Sequence, residues 1–350
     1  MVQKMDESIE KILPNENSVF VKMNSLRLKL TDNCHWNCWW CHNEGTGKRN
    51  MKVTRNLDFS DSSFLESLEK LLDFYKIKEV HLTGGEPTLH PEITGIITYF
   101  KEKGLRVKIT SMGNRGEIIE KIIDAGIDSI NFSLHALTLP EMCSTQVERK
   151  EQWIDRAHQQ LLSNILLAKT RGIRVKINTV VASEADFPRI RQVIDFGIKN
   201  NLEIRLLHEV SNLSKSINAV LKLLDEYNAK EVSRTYTYGF SGGTILYNIP
   251  NLGNIGFKVL IPVYLESMCS ICPARKEGWC GEYFYGIRLE NVMGINNIRL
   301  CVHRTAPDTY FKLSEFLETP QADDIKDIID DEKFELKTRY LITDNEGNRL

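Results

Sequence analysis

The sequence predicts an α/β protein built on a partial (β/α)6 barrel and followed by a smaller α+β segment. Three observations carry that prediction. Short β-branched runs alternate with amphipathic stretches from residue 25 to about residue 210. Within those stretches apolar residues recur at the 3.6-residue spacing of helices that bury one face. Seven of the eight cysteines fall into two groups, one directly after the first strand run and one beyond the last.

The strand runs cover residues 25–31, 79–83, 106–111, 129–135, 174–181 and 203–209. Helical patterns lie between them, near 60–75, 91–103, 116–125, 151–171 and 186–200. In the first, Leu65, Leu68, Leu71 and Leu72 form one apolar face, and Ser60 or Asp61 offers an N-cap. Strands separated by helices of this length make βα units, and the right-handed crossover curls them towards a barrel. Working residues of parallel barrels gather at the C-terminal ends of the strands. After residue 210 come a helix at 217–227, strand-like runs at 235–240, 244–249 and 256–263, and a hairpin. The hairpin pairs 284–289 with 298–301 and turns at 293–297. The implied division is an N-terminal extension (1–24), the barrel (25–212), a cysteine-bearing auxiliary segment (213–310) and a charged helical tail (311–350) covering a barrel opening.

With 42% hydrophobic and 26% charged residues, the 350-residue chain has the composition of a soluble globular protein. A net charge of −2 gives no electrostatic reason to expect nucleic acid or anionic membrane as a partner. No apolar run approaches the ~20 residues of a bilayer span, and no signal-peptide pattern opens the chain. Clustered thiols suit metal binding in a reducing compartment, so the expectation is a cytoplasmic metalloprotein.

The most informative segment is Cys34-His35-Trp36-Asn37-Cys38-Trp39-Trp40-Cys41, which follows the first strand. Its C-x3-C-x2-C spacing lets three thiolates hold three irons of a cubane and leave the fourth iron open. With His35 or His42 as a fourth donor, the same loop would suit zinc. After the second strand, Thr83-Gly84-Gly85-Glu86-Pro87 offers backbone free of Cβ atoms and a carboxylate able to accept from an ammonium group. A plain strand-to-helix turn is the alternative.

Together these motifs, with Trp40 before the third cysteine, resemble the radical S-adenosylmethionine superfamily. The resemblance implies a [4Fe–4S] cluster on Cys34, Cys38 and Cys41 whose open iron binds S-adenosylmethionine. It implies reductive cleavage to methionine and a 5′-deoxyadenosyl radical, with an electron from an external donor such as flavodoxin or ferredoxin. It places Trp40, Gly84, Gly85, Glu86, Pro87, Ser111, Asn114, Ser133 and Asn178 around that cofactor. The fifth and sixth strands resemble the cyclic pyranopterin synthase branch, in which cations matching Arg27, Lys176 and Arg205 face substrate or cofactor. Ion pairing with Glu203 or Glu209 is the alternative for these cations.

Cys269, Cys272, Cys280 and Cys301 suffice for a closed cluster or a zinc ion. Their place after the barrel resembles the auxiliary-cluster regions called twitch or SPASM domains, which implies a second [4Fe–4S] cluster. The pyranopterin synthase branch uses three cysteines here, so Cys280 is additional. Its Arg-x-Arg is matched only by Arg288, with Gly286 in the other place, and its Gly-Gly tail is not matched by Asn345-Glu346-Gly347-Asn348-Arg349-Leu350. Cys143, apart from both groups, reads as a small buried apolar side chain. The expectation is therefore a radical enzyme acting on a small polar metabolite, nucleotide or sugar-like, rather than the GTP cyclase itself. A radical maturase of a ribosomally made peptide is the second possibility, though the 24 residues before the barrel are short for a winged-helix leader-binding module. A zinc protein that binds partners through its tryptophan-rich loop is the third.

Overall fold

A computed structural model of the chain describes residues 7–41, 54–238, 240–261, 263–276, 284–302, 304 and 306–330. In chain order it begins with α1 (Glu7–Glu10), β1 (Ser18–Lys22), β2 (Ser25–Lys29), β3 (Thr54–Arg55), α2 (Ser62–Phe74) and β4 (Glu79–Thr83). Next come α3 (Ile93–Glu102), β5 (Arg106–Ser111), α4 (Gly116–Asp124), β6 (Ser129–Ser133), α5 (Leu139–Ser144), α6 (Glu151–Thr170) and β7 (Arg174–Val181). Then follow α7 (Phe187–Lys199), β8 (Glu203–His208), α8 (Leu213–Glu226), β9 (Lys230–Tyr238), β10 (Gly242–Ile249) and β11 (Gly253–Leu260). The remainder is α9 (Glu266–Cys269), α10 (Pro273–Lys276), β12 (Arg288–Val292), β13 (Ile295–Arg299), β14 (Tyr310–Lys312), α11 (Leu313–Phe316) and α12 (Pro320–Asp330).

Strands β2, β4, β5, β6, β7 and β8 pair in parallel in that order, as the alternation of patterns required. Their two faces differ. Leu28, Leu82, Ile109, Ile130, Ile177 and Leu206 point outward and are wholly buried under the helices. The alternate positions carry Arg27, His81, Thr110, Asn131, Asn178 and Arg205, so the concave face is polar. Parallel sheets are usually apolar on both faces. A polar concave face is space kept for a polar ligand. Asp61 caps α2 as expected, accepting from the backbone of Ser63 at 2.9 Å and Phe64 at 3.3 Å, a contribution of about 1 kcal/mol.

The C-terminal segment is continuous with this sheet on both sides. β11 adds in parallel to β8, with Ile255 opposite Ile204, and β12 adds in parallel to β2, with Arg288 opposite Arg27. The chain between β11 and β12, which bears Cys269 and Cys272, therefore spans the gap between the two ends of the barrel. A buried ion network fastens β12 in place: Lys29 pairs with Asp32 and, at 3.6 Å, with Glu290, which pairs with Arg299 at 3.0 Å. Buried charges persist only when paired in this way.

Four expectations need correction. The hairpin is displaced: β12 and β13 turn at Met293-Gly294, both with positive φ, and Asn296 and Asn297, expected in the turn, lie in β13, where Asn296 accepts from Asn291 across the strands at 2.9 Å. The N-terminal extension is not a mere extension: β1 pairs in parallel with β9, and Phe20 lies 5.7 and 5.4 Å from the rings of Tyr236 and Tyr238. β9 starts at Lys230, well before residue 235, because β10 pairs with it along that whole length. The tail helix α12 packs outside the barrel, where the Tyr75 hydroxyl donates to the Ala322 carbonyl at 2.9 Å and Asp324 accepts from Ser267 beside Cys269. The charged stretch 331–350 and residue His42 lie outside the described residues. Among the described residues, no helix is long and apolar enough to cross a membrane.

Candidate active site at the barrel mouth

The polar face of the strands opens into a cavity of about 500 Å³, whose lining includes the cysteines of the loop and Arg27, Arg205 and Lys258. The loop is seated by the connection between β6 and α6. Trp36 is buried with Met112, Met142 and Ile154, and its ring meets that of Trp153 edge-on at 5.0 Å. Backbone bonds run both ways: Trp39 donates to the Thr145 carbonyl at 3.2 Å and Val147 to the Asn37 carbonyl at 2.9 Å. Cys143 packs against this same apolar patch with Cys34 and Cys38, so the eighth cysteine is far from the loop only in sequence.

Gly84 and Gly85 lie against the strand end that leads into the loop. Gly85 donates to the Thr31 carbonyl and Glu86 to the Asn33 carbonyl, both at 2.8 Å. A Cβ on Gly85 would stand 2.5 Å from the carbonyl oxygens of Asp32 and Asn33, and one on Gly84 would strike Thr31. These glycines thus allow two backbones to touch, besides lining the cavity. Glu86 is wholly buried and already engaged: it accepts from the Thr88 backbone (3.1 Å) and hydroxyl (2.6 Å), the Ser111 hydroxyl (2.7 Å) and the Met112 backbone (2.7 Å). It ties the end of β4 to the end of β5 on the cavity wall.

Burial pushes the Cys34 thiol up to about 12, reinforced by the Glu86 carboxylate and by Cys38 and Cys41. Three thiolates and a carboxylate in one place repel one another unless positive charge is set among them, which bound iron provides. Among the described residues, no group of three His, Cys, Asp or Glu side chains is placed to hold a single metal ion. A cubane takes one thiolate per iron and needs no such convergence, so this donor set fits a [4Fe–4S] cluster.

Among the strand residues lining the cavity, His81 is buried and held well below its usual value, first by burial and then by the charges of Arg27, Lys108, Lys258 and Arg205. Its Nε2 sits 2.8 Å from the Thr110 hydroxyl. Burial pushes Arg205 down to about 10, with Arg27 adding to the effect, and its Nε donates to Asn178 at 2.9 Å. Arg27 and Arg288 approach the Tyr285 ring at 5.8 and 3.8 Å. Cations concentrated in a site of low dielectric favour an anionic guest. Nearer the cysteine loop, Trp40 meets His135 edge-on at 4.9 Å, and Arg189 donates to the His135 and Val180 carbonyls at 2.6 and 2.8 Å.

Of the residues expected from sequence, Arg27, Trp40, Gly84, Gly85, Glu86, Ser111, Ser133, Asn178 and Arg205 line this cavity together with Cys34, Cys38 and Cys41. Lys176, Pro87 and Asn114 do not. Lys176 shares the face of Asn178 but lies nearer the start of β7, where it pairs with Glu203 at 3.2 Å. Pro87 opens a buried turn over residues Pro87–Leu89, and the Asn114 side-chain oxygen is buried without a hydrogen-bond partner. Sequence reasoning passed over His81, His135, His208, Lys258 and Tyr285. Lys258 carried a usable signal as a lone charge between Phe257 and Val259, both wholly buried on the other face of β11.

In the second group Cys269, Cys272 and Cys301 are buried, and Cys280 lies outside the described residues. Against the effect of burial, Cys272 and Asp308 raise the Arg304 guanidinium above its usual value, and its Nη2 pairs with Asp308 at 2.8 Å.

Comparison with known proteins agrees with this geometry. Residues 28–196 match the sequence model described as Radical SAM superfamily. A probable GTP 3′,8-cyclase of Metallosphaera sedula is 30% identical over 179 residues, covering 50% of this chain and 52% of that protein. The GTP 3′,8-cyclase of Chlorobaculum tepidum is 24% identical over 262 residues, covering 71% and 73%. The chain thus spans between about half and three quarters of the length of these curated relatives. The crystal structure of Streptococcus suis SuiB bound to S-adenosylmethionine shares the fold, with a TM-score of 0.52 at 14% identity over 87% of this chain and 65% of that one. The likeness is to the radical SAM superfamily, and it rests on residues 28–196, just under half of the chain.

Proposed function

We propose that this protein is an enzyme that binds S-adenosylmethionine at a [4Fe–4S] cluster on Cys34, Cys38 and Cys41 and abstracts hydrogen from a small anionic metabolite, nucleotide or sugar-like. The observation that carries the reading is one cavity whose lining holds the thiol trio together with Arg27, Arg205 and Lys258. Held by Cys34, Cys38 and Cys41, a reduced cluster would supply the electron for cleavage of S-adenosylmethionine, drawn from an external donor such as flavodoxin or ferredoxin. The chain's own residues set the stage. Glu86 and the paired glycines fix the loop against β4, Asn178 aims Arg205, and Trp40 with His135 closes the wall beside the cysteines. The second cluster, on Cys269, Cys272, Cys280 and Cys301, belongs to the same proposal, and so does the division of the chain at residue 212.

Three half-buried cations lining one cavity favour an anionic guest over a neutral one. The test is formation of 5′-deoxyadenosine by anaerobically reconstituted protein under dithionite. Wild type is expected to form it and Cys38→Ala to form none. Equal formation by the variant would sink the assignment.

A further inference from the structure

In the connection between β6 and α6, Gln146 extends its side chain to a cluster cysteine by a hydrogen bond. Cys38 and Gln146 pair as an isolated antiparallel bridge, and the Gln146 side chain then folds back along the loop. Its Oε1 accepts from the Asn37 backbone at 2.9 Å. Its Nε2 donates to the Thr145 hydroxyl at 2.9 Å and to the Cys38 sulfur at 3.3 Å. The amide orientation is fixed by its neighbours. Asn37 N–H can only donate, and the Thr145 hydroxyl spends its proton on the Met142 carbonyl at 2.7 Å, leaving only lone pairs for Gln146. One Gln146 N–H is therefore held by Thr145 and the other is aimed at sulfur.

We infer that Gln146 is a positioning residue that donates an N–H···S bond to the Cys38 ligand and so raises the reduction potential of the cluster. The inference rests on the functional reading above, since it requires a cluster on Cys34, Cys38 and Cys41. The physical reason is charge. A [4Fe–4S] cluster gains one negative charge on reduction, much of it on its sulfurs, and a hydrogen bond to a ligand sulfur stabilises the reduced form more than the oxidised one. The electron, supplied by dithionite in vitro or by a small electron-transfer protein, then arrives more readily. The same amide ties Asn37 to Thr145, which fixes the distance between the two segments and keeps the donor in place when the cluster changes charge.

The test is an EPR-monitored redox titration of reconstituted protein, following the signal that changes when S-adenosylmethionine is added. Gln146→Met keeps the length and lacks both polar atoms; its midpoint potential is expected to be more negative than that of wild type at equal iron content. An unchanged midpoint overturns the inference. Should the variant lose its cluster, wild-type protein carrying ¹⁵N in its glutamine side-chain amides gives a second reading. Pulsed EPR of the reduced cluster is expected to show coupling to that ¹⁵N, and its absence overturns the inference. A wild type that takes up no cluster overturns the functional reading and this inference with it, whereas a cluster with no Gln146 effect overturns this inference alone.

Discussion

Replacing Glu86 with glutamine separates two roles for that carboxylate, a ligand for S-adenosylmethionine or a clasp between strand ends. One oxygen accepts three donors and the other accepts the Met112 backbone at 2.7 Å. A glutamine amide must turn its NH2 towards one of these sets. If it faces Met112, donor meets donor, a charge-assisted bond is lost and a buried N–H is stranded; facing the other set strands more. Losing one such bond and stranding one N–H together cost about 3 kcal/mol, on the order of a hundredfold in the local opening equilibrium. Native-state hydrogen exchange read by mass spectrometry should therefore show the peptide containing Met112 exchanging about a hundredfold faster in Glu86→Gln than in wild type. Ser111→Ala removes a donor to the same carboxylate and strands the Gly113 N–H that the Ser111 hydroxyl accepts at 2.8 Å, so it should cost a comparable amount, about 3 kcal/mol. If Glu86→Gln leaves exchange unaltered while abolishing S-adenosylmethionine binding, the carboxylate is reserved for the ligand and the clasp argument is wrong.

The other expectations follow from the same geometry. Arg205→Met should weaken binding of a phosphate-bearing ligand by about ten- to a hundredfold, the worth of one charged hydrogen bond, while 5′-deoxyadenosine still forms without substrate; calorimetry showing equal affinity would remove Arg205 from the substrate wall. Cys301→Ala should lower iron content by about four per chain, and unchanged iron would defeat the second cluster. His208 is pushed down to about 4 by burial and stays neutral in the fold. Below about pH 6.5 the unfolded chain takes up a proton there that the folded chain refuses, so stability falls as pH drops, by about 1.4 kcal/mol per unit down to the folded value. His208→Gln, which keeps an acceptor for the Leu260 backbone, should flatten the denaturation midpoint between pH 6.5 and 4.5, and an identical slope would contradict the burial argument.

Local patterns were legible where local physics decides them. The run at 174–181 and the run at 106–111 are the observed strands Arg174–Val181 and Arg106–Ser111, because alternating β-branched residues suit a half-polar parallel strand. The cysteine loop and Gly84-Gly85-Glu86 were legible because their residue types are demanded by chemistry and close approach. Pairings between distant segments were not. Nothing in Ser18–Lys22 announces a partner more than two hundred residues away, yet β1 and β9 are neighbours. Lys176 and Lys258 are equally good lysines on equally good strands. Only the curl of the sheet and the place of Glu203 decide that the first is paired away from the cavity and the second faces it. Cys143 and Gln146 reach the loop through helix packing that no spacing rule predicts.

The most direct measurement is EPR of oxygen-free, reduced protein before and after addition of S-adenosylmethionine, paired with metal analysis. A thiolate trio with one open iron predicts a [4Fe–4S] signal that changes when the sulfonium compound binds. A colourless protein retaining zinc, or a cluster signal that the compound leaves untouched, would contradict it.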